Sequence, residues 1–315
     1  MIKENTYHNY LSFASVLLIL MPLGLISGPF LPDLFIVLIS FIFLFVFNKK
    51  KELFKLNSNF FIFFLIFYSY LILTSILSDN FYQSIKSSIT YLRFGLFSLA
   101  IFFILNNKKD FINHFYIMVC FTLIILIFDG YFQFITEKNI FGFKGVRPDR
   151  LGGLFFDELI LGSYLGKILP IFFTFYLLNK KHLNKYYVTI LAVLTYILVF
   201  LSGERSAFLT TTLYLIMVIP FLLGIRKSII LFIFAGTIFG TLITTNENMK
   251  NRYYDQMMMH TLGVGKYADN DPTKKTFMPS HIGLFSSAID IFQKNIVVGG
   301  GVKTFRIYCK NNMNK

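Results

Sequence analysis

Runs of about 20 apolar residues recur along this chain, and several short connections between them carry clusters of lysine. That alternation constrains the fold more than any motif does. In hydrocarbon every backbone N–H and C=O must find its partner within its own segment, so a run of this length reads as a membrane-crossing helix. Nine stretches meet or approach the length: 11–29, 31–48, 58–77, 89–107, 111–134, 155–178, 186–203, 205–224 and 227–245. Asp33 and Arg93 cut into the ends of the second and fourth. Lys167 and Pro170 in the sixth predict a kink or a partly re-entrant segment. Charged residues make up only 15% of the chain, where a soluble domain carries about a quarter. Mean hydropathy is +0.63, with 41 Phe, 18 Tyr and no Trp, so lipid is the solvent for most of the surface. The expected fold class is an all-α polytopic membrane protein of about nine transmembrane helices. Its bundle covers residues 1–245, and a large periplasmic segment follows over 246–315.

Two cysteines, Cys120 inside an apolar run and Cys309 near the end, do not make a disulfide framework. The net charge of +14 lies between apolar spans rather than on one soluble face, which points to juxtamembrane anchoring and away from nucleic acid. Leu11 onward follows a charged start with no small-residue cleavage site, and reads as an uncleaved first span, with a signal peptide as the alternative. Lys49, Lys50, Lys51 and Lys55 follow the second stretch, and Lys108 and Lys109 the fourth. Lys180, Lys181 and Lys185 follow the sixth, and Arg226 and Lys227 the eighth. If every stretch crosses, all four clusters share one face, which the positive-inside rule makes cytoplasmic together with the N-terminus. Residues 78–88, 136–153, 202–206 and everything after 245 then face outward. In that last part, Asp269-Asn270-Asp271-Pro272 signals a loop. Ile282, Phe285, Ala288, Ile289 and Phe292 recur at helical spacing behind Ser280 as N-cap, predicting an amphipathic helix packed on the outer rim of the bundle.

No metal-ligand cluster, phosphate loop or nucleophile–base pair emerges, and the five histidines are scattered. Arginine stands out instead. Arg205 follows Ser202-Gly203-Glu204, where the seventh stretch turns almost without a loop into the eighth. It is either an interfacial anchor or a partner of Glu204, or else a phosphate ligand whose planar donor fork lies beside a helix N-terminus. A second constellation is Arg147-Pro148-Asp149-Arg150-Leu151-Gly152-Gly153, leading to Asp157 and Glu158. The two carboxylates either complement a helix start or mark a functional site at the membrane boundary. In a third, Gly299-Gly300-Gly301 lies between Lys294 and Lys303, a turn whose backbone N–H groups could face phosphate.

These segments carry a family resemblance. The stretch from Arg147 to Leu165, the turn Ser202-Gly203-Glu204-Arg205-Ser206-Ala207, and the stretch from Ile291 to Arg306 resemble, in the same order, segments of bacterial O-antigen ligases and O-antigen polymerases. The resemblance covers roughly residues 140–310. It implies a glycosyltransferase of the bacterial inner membrane, acting in lipopolysaccharide or other surface-polysaccharide assembly. The donor would be a glycan on undecaprenyl pyrophosphate, the acceptor a lipid-A core sugar or a further glycan repeat, with membrane lipids around it and neither nucleic acid nor a metal or nucleotide cofactor. In that family an outward-facing arginine pair engages the donor pyrophosphate. Carried over, Arg205 matches by motif and Arg252 by its position after the ninth stretch. Arg147, Arg150, Asp157 and Glu158 are the further candidates for substrate binding. The family's base is a histidine beyond the stretch that ends here at Cys309. The chain stops at Lys315, so a C-terminally truncated member is expected and no catalytic base is assigned. The rival readings are a transporter or flippase of lipid-linked sugars, which should place ionisable residues in broken helices of two matching halves, and an inactive remnant.

Overall fold

A computed structural model describes residues 4–49, 58–178, 185–256, 279–294, 296 and 299–313. Each of the nine apolar stretches is helical over most of its described length, and no strand occurs among the described residues. Helix α1 (Glu4–Ile19) breaks into α2 (Met21–Gly24) and a 3-10 turn (Leu25–Ser27), the two arms meeting at 47°. Pro22, which has no N–H to continue the ladder of α1, sits at that break. There follow α3 (Phe30–Lys49), α4 (Ser58–Ile76), α5 (Phe81–Asn107), α6 (Phe111–Thr136), α7 (Leu161–Leu178), α8 (Lys185–Leu201), α9 (Arg205–Leu223) and α10 (Ile225–Thr245). A short α11 (Glu247–Lys250) runs into one π-helical turn (Asn251–Asp255), and α12 (Pro279–Lys294) and α13 (Phe305–Met313) close the described chain.

Helices α4, α5, α6, α7 and α10 are long and apolar enough to cross a membrane, and the bent α1–α2 pair makes a sixth. The apolar parts of α3, α8 and α9 are shorter, at Phe30–Val46, Tyr186–Leu201 and Arg205–Phe221. These helices suit a multi-pass membrane protein. Several boundaries differ from the hydropathy reading. Helix α5 starts at Phe81 rather than near residue 89, and Arg93 lies inside it, 3.1 Å from Asp33 of α3. The two charges that shorten the second and fourth stretches are therefore each other's partner. Helix α7 starts only at Leu161 and runs through Pro170 without ending, and Lys167 is exposed.

The chain forms two compact units. One contains most of α1, together with α3, α4, α5, α12 and α13. Its apolar centre includes Ile39, Phe43, Phe103 and Ile104, and Ser84 and Ser88 of α5 hydrogen-bond to Ser75 of α4. Interhelical serine bonds of this kind stand in for the hydrophobic drive that lipid removes. Helix α12 occurs where an amphipathic helix is predicted, but Pro279 opens it, so Ser280 is in its first turn rather than its cap. Phe285 is 70% exposed, and Ile289 and Phe292 are also exposed, so this apolar stripe is not packed on a bundle as expected. The predicted Asp269–Pro272 loop lies outside the described residues.

The second unit contains α2 and α6 to α11. Leu123, Leu126, Leu165, Leu169, Phe172 and Leu198 are fully or almost fully buried at its centre. A Cβ on Gly162 would overlap Ser202 Oγ, and one on Gly166 would crowd Thr211, so these glycines let α7 close onto the α8–α9 turn. Beyond α10 the chain folds back over that turn. Tyr253 stacks on Phe200 with ring centroids 4.4 Å apart and donates its hydroxyl to the Phe200 carbonyl at 2.6 Å. The preceding residue, Arg252, is thereby fixed over the same turn.

Candidate functional site

The site lies within the second unit, where the segment between α6 and α7, the α8–α9 turn and the π turn meet. Helix α6 ends at Glu137 in the left-handed region, and two side chains from its last turns hold the segment that follows. Asp129 Oδ1 accepts from the Ile140 N–H at 2.9 Å, and Gln133 Oε1 from the Gly153 N–H at 2.8 Å. Asn139 donates to the Gly153 carbonyl at 3.1 Å. Held in this way, the segment lays Asp149 and Arg150 against the α8–α9 turn, where the Leu151 N–H reaches the Ser202 carbonyl at 3.3 Å. Gly203 makes this approach possible. Its φ is +71°, and a Cβ there would overlap the Asp149 carbonyl oxygen.

Four arginines gather around this contact. Arg147 binds Asp149 with both ends of its fork, at 3.0 Å from Nε and 2.9 Å from the terminal nitrogen. Asp149 is only 4% exposed and also faces Gln256 Nε2 at 3.4 Å and Arg252 at 3.8 Å. Arg252 donates from Nε to the Gly203 carbonyl at 2.7 Å and from the other side of its fork to Gln256 at 2.7 Å. Arg150 donates to the Leu159 carbonyl at 2.6 Å and stands 4.0 Å from Glu204. Glu204 is committed elsewhere. It is 7% exposed, accepts the Gly162 N–H at 2.8 Å and is hydrogen-bonded by the Ser163 hydroxyl.

Arg205 differs from the other three. It is half-buried at the first position of α9, and among the described residues no hydrogen bond or ion pair holds its guanidinium. The pairing with Glu204 that sequence proximity suggests is not formed, because Glu204 turns towards the start of α7. Arg205 is still felt across the turn. Burial first, and then the Arg205 guanidinium, pull the pKa of Arg252 below its usual value. Arg150 and Arg147 add to the effect and Asp149 opposes it. Four guanidinium groups here face two carboxylates, beside a helix N-terminus whose free N–H groups also favour negative charge. Such an arrangement can receive an anion with more than one charge.

The fold thus brings Arg147, Arg150, Arg205 and Arg252 together. Asp157 and Glu158 are exposed in the non-helical stretch before α7, and none of the cluster's hydrogen bonds or ion pairs involves them. The Gly299–Gly301 turn belongs to the other unit and is bonded there at the Gly300 carbonyl and through the following Val302 N–H. Ser78 donates to the Gly300 carbonyl at 2.7 Å and Ser84 accepts the Val302 N–H at 2.8 Å. No family model, curated protein or solved structure matches the chain. The sequence places Asp149 in the second constellation without a role, whereas in the fold it is the hub that sets two of the arginines, and Gln256 joins it there. The signal for Asp149 was its place between Arg147 and Arg150, where a single acid must serve two cations.

Proposed function

We propose that this chain is a membrane glycosyltransferase of the O-antigen ligase or polymerase kind, moving a glycan from a polyprenyl pyrophosphate carrier to a sugar hydroxyl. In this reading nine stretches cross the bacterial inner membrane from a cytoplasmic N-terminus, and the arginine cluster lies at the periplasmic face. The acceptor oxygen attacks the anomeric carbon, the bond from that carbon to the pyrophosphate oxygen breaks, and the pyrophosphate leaves with the bonding electrons. The proton of the acceptor hydroxyl goes to a base that the described residues do not identify. Arginines around the leaving group stabilise the charge it gains in the transition state.

The observation that carries this reading is Arg205, a half-buried guanidinium bound to nothing in the described protein, in the field of three other arginines at a helix start. A cation arranged at such a cost implies an anion that is bound in function. Arg205→Ala should lower transfer by about a hundredfold or more, the usual cost of removing one preorganised donor from a developing anion. Arg205→Lys should also fail to restore full transfer, because a point charge does not reproduce the fork. The measurement is the glycan ladder in a strain lacking its own enzyme, at matched protein level. A normal ladder from Arg205→Ala ends this reading. Orientation is tested separately with an impermeant thiol reagent on intact cells, where Lys144→Cys should react and Lys109→Cys should not.

A further inference from the structure

Beside the arginine cluster, and within the same unit, lies a cavity of about 270 Å³. It is smaller than the roughly 300–1,000 Å³ typical of sites for drug-sized molecules, and so fits one ring rather than a chain. Arg147 and Arg150 form the wall it shares with the cluster. Asn246 in its lining is engaged, its Oδ1 accepting the Met249 N–H at 3.1 Å, but other polar groups there are not. Gln133 is 3% exposed, and its carbonyl oxygen is fixed by the Gly153 N–H. That contact settles the amide orientation, and the amide nitrogen then donates to nothing among the described residues. Arg150 Nε is buried without a partner. Glu137 and Lys144 line the opening, and neither side chain has a hydrogen bond or ion pair among the described residues. The Gln133 amide is then an unmatched donor at the cavity wall, and with Arg147 and Arg150 beside it the wall suits a ligand rich in acceptors.

The apolar lining narrows the choice. Phe134, Pro148 and Leu151 add flat or compact hydrocarbon to the same lining. A ligand matching this has hydroxyl groups around its edge, able both to give and to accept, and C–H faces above and below. That is a pyranose. We infer that this cavity holds one monosaccharide of the glycan, the unit joined to the pyrophosphate, with Arg150 spanning the sugar and phosphate parts of the site. The assignment of that unit rests on the pyrophosphate reading of the arginine cluster; the sugar site itself does not.

Two probes separate these ideas: phosphate-free methyl glycosides (neutral, N-acetylated and uronic) and inorganic pyrophosphate. The protein is held in nanodiscs free of glycoside detergent. Saturation transfer from protein to at least one glycoside is expected at millimolar concentration. Gln133→Glu keeps the acceptor for Gly153 while removing the donor, and Glu137→Gly removes the carboxylate at a position that favours glycine. Each should weaken glycoside binding by about tenfold or more, as loss of a hydrogen bond to a charged or buried group does. Both should leave the thermal shift caused by pyrophosphate unchanged. No saturation transfer to any glycoside overturns the sugar site, as does wild-type binding in both variants. Glycoside binding without any pyrophosphate response supports the cavity and instead removes the reading of the arginines.

Discussion

Two glycine turns in this protein share a backbone conformation and do opposite things with their surroundings. Gly203 and Gly301 both hold a positive φ, at +71° and +94°, and at both a Cβ would overlap a neighbouring oxygen. Around Gly301 the neighbours are serines. Ser78 and Ser84 reach the Gly300 carbonyl and the Val302 N–H, so the turn attaches its segment to α5 and the loop before it. Around Gly203 the neighbours are charged. Its carbonyl is taken by Arg252, but the nearby Arg205 remains without a partner among the described residues. A turn bonded to its neighbours through its backbone is an attachment, and one that leaves a cation unmatched among the described residues is a place for something else to bind. The difference lies in the partners, not in the glycine.

The largest expected effect is at Gly203. Gly203→Ala adds left-handed strain of about 1–2 kcal/mol and an overlap with a main-chain carbonyl that cannot rotate away. The total should be on the order of 2–4 kcal/mol, within the range of severe single substitutions. A marked fall in melting temperature in nanodiscs, together with loss of transfer, is the outcome to look for. Gly301→Ala adds the same kind of strain but meets the Ser78 hydroxyl, a side chain that can swing aside. Its effect should be smaller and local, seen as faster amide exchange at Val302 with little change in global melting. Equal losses of stability from the two alanines would break the comparison.

Asp149→Asn comes next. The carboxylate is buried, takes both ends of Arg147's fork and lies 3.8 Å from Arg252. Replacing it with an amide removes the charge that opposes three other guanidiniums around Arg252. Because Arg147 is partly exposed, a loss of about 2 kcal/mol is expected, towards the lower part of the range for charged hydrogen bonds. High salt should recover part of it by screening, and pyrophosphate should recover more if it is the ligand. A stability change independent of salt would show that shape, rather than charge, is what Asp149 contributes.

The helices were legible because hydrocarbon thickness dictates their length, and a run of Phe, Ile and Leu at 111–134 admits few other solutions. The boundaries were less so. Ser84, Ser87 and Ser88 read as polar and pushed the expected start of α5 too late, but Ser84 and Ser88 bond to Ser75 on the neighbouring helix. Asp33 and Arg93 looked like span ends, and only the fold shows that they face each other. Arg205 could be picked out because a charge at a nearly loopless turn has nowhere to hide. Asp157 and Glu158 show the converse: closeness to a span in sequence does not join a residue to the arginine cluster, and both are exposed outside it. Asp129 and Gln133 were readable in principle. Two polar groups four residues apart in an apolar run share one helix face, and that face held the loop.

The smallest expected effect on stability belongs to Arg205→Ala, and its smallness is the sharpest part of the comparison. Among the described residues Arg205 has no hydrogen bond to lose. Its charge sits unfavourably at a helix N-terminus and disfavours the charge on Arg252. Against that stands the packing of its methylene stem on the turn. The terms nearly cancel, so melting should stay within about 0.5 kcal/mol of wild type or rise slightly, while transfer falls steeply. Gain or neutrality in stability with loss of function is what a residue held for a ligand shows, because its favourable partner is absent from the resting protein. Pyrophosphate should then raise the melting temperature of the wild type and not of Arg205→Ala. A fall in melting as large as that of Asp149→Asn would make Arg205 part of the attachment, like the serines around Gly301, and the two turns would be of one kind.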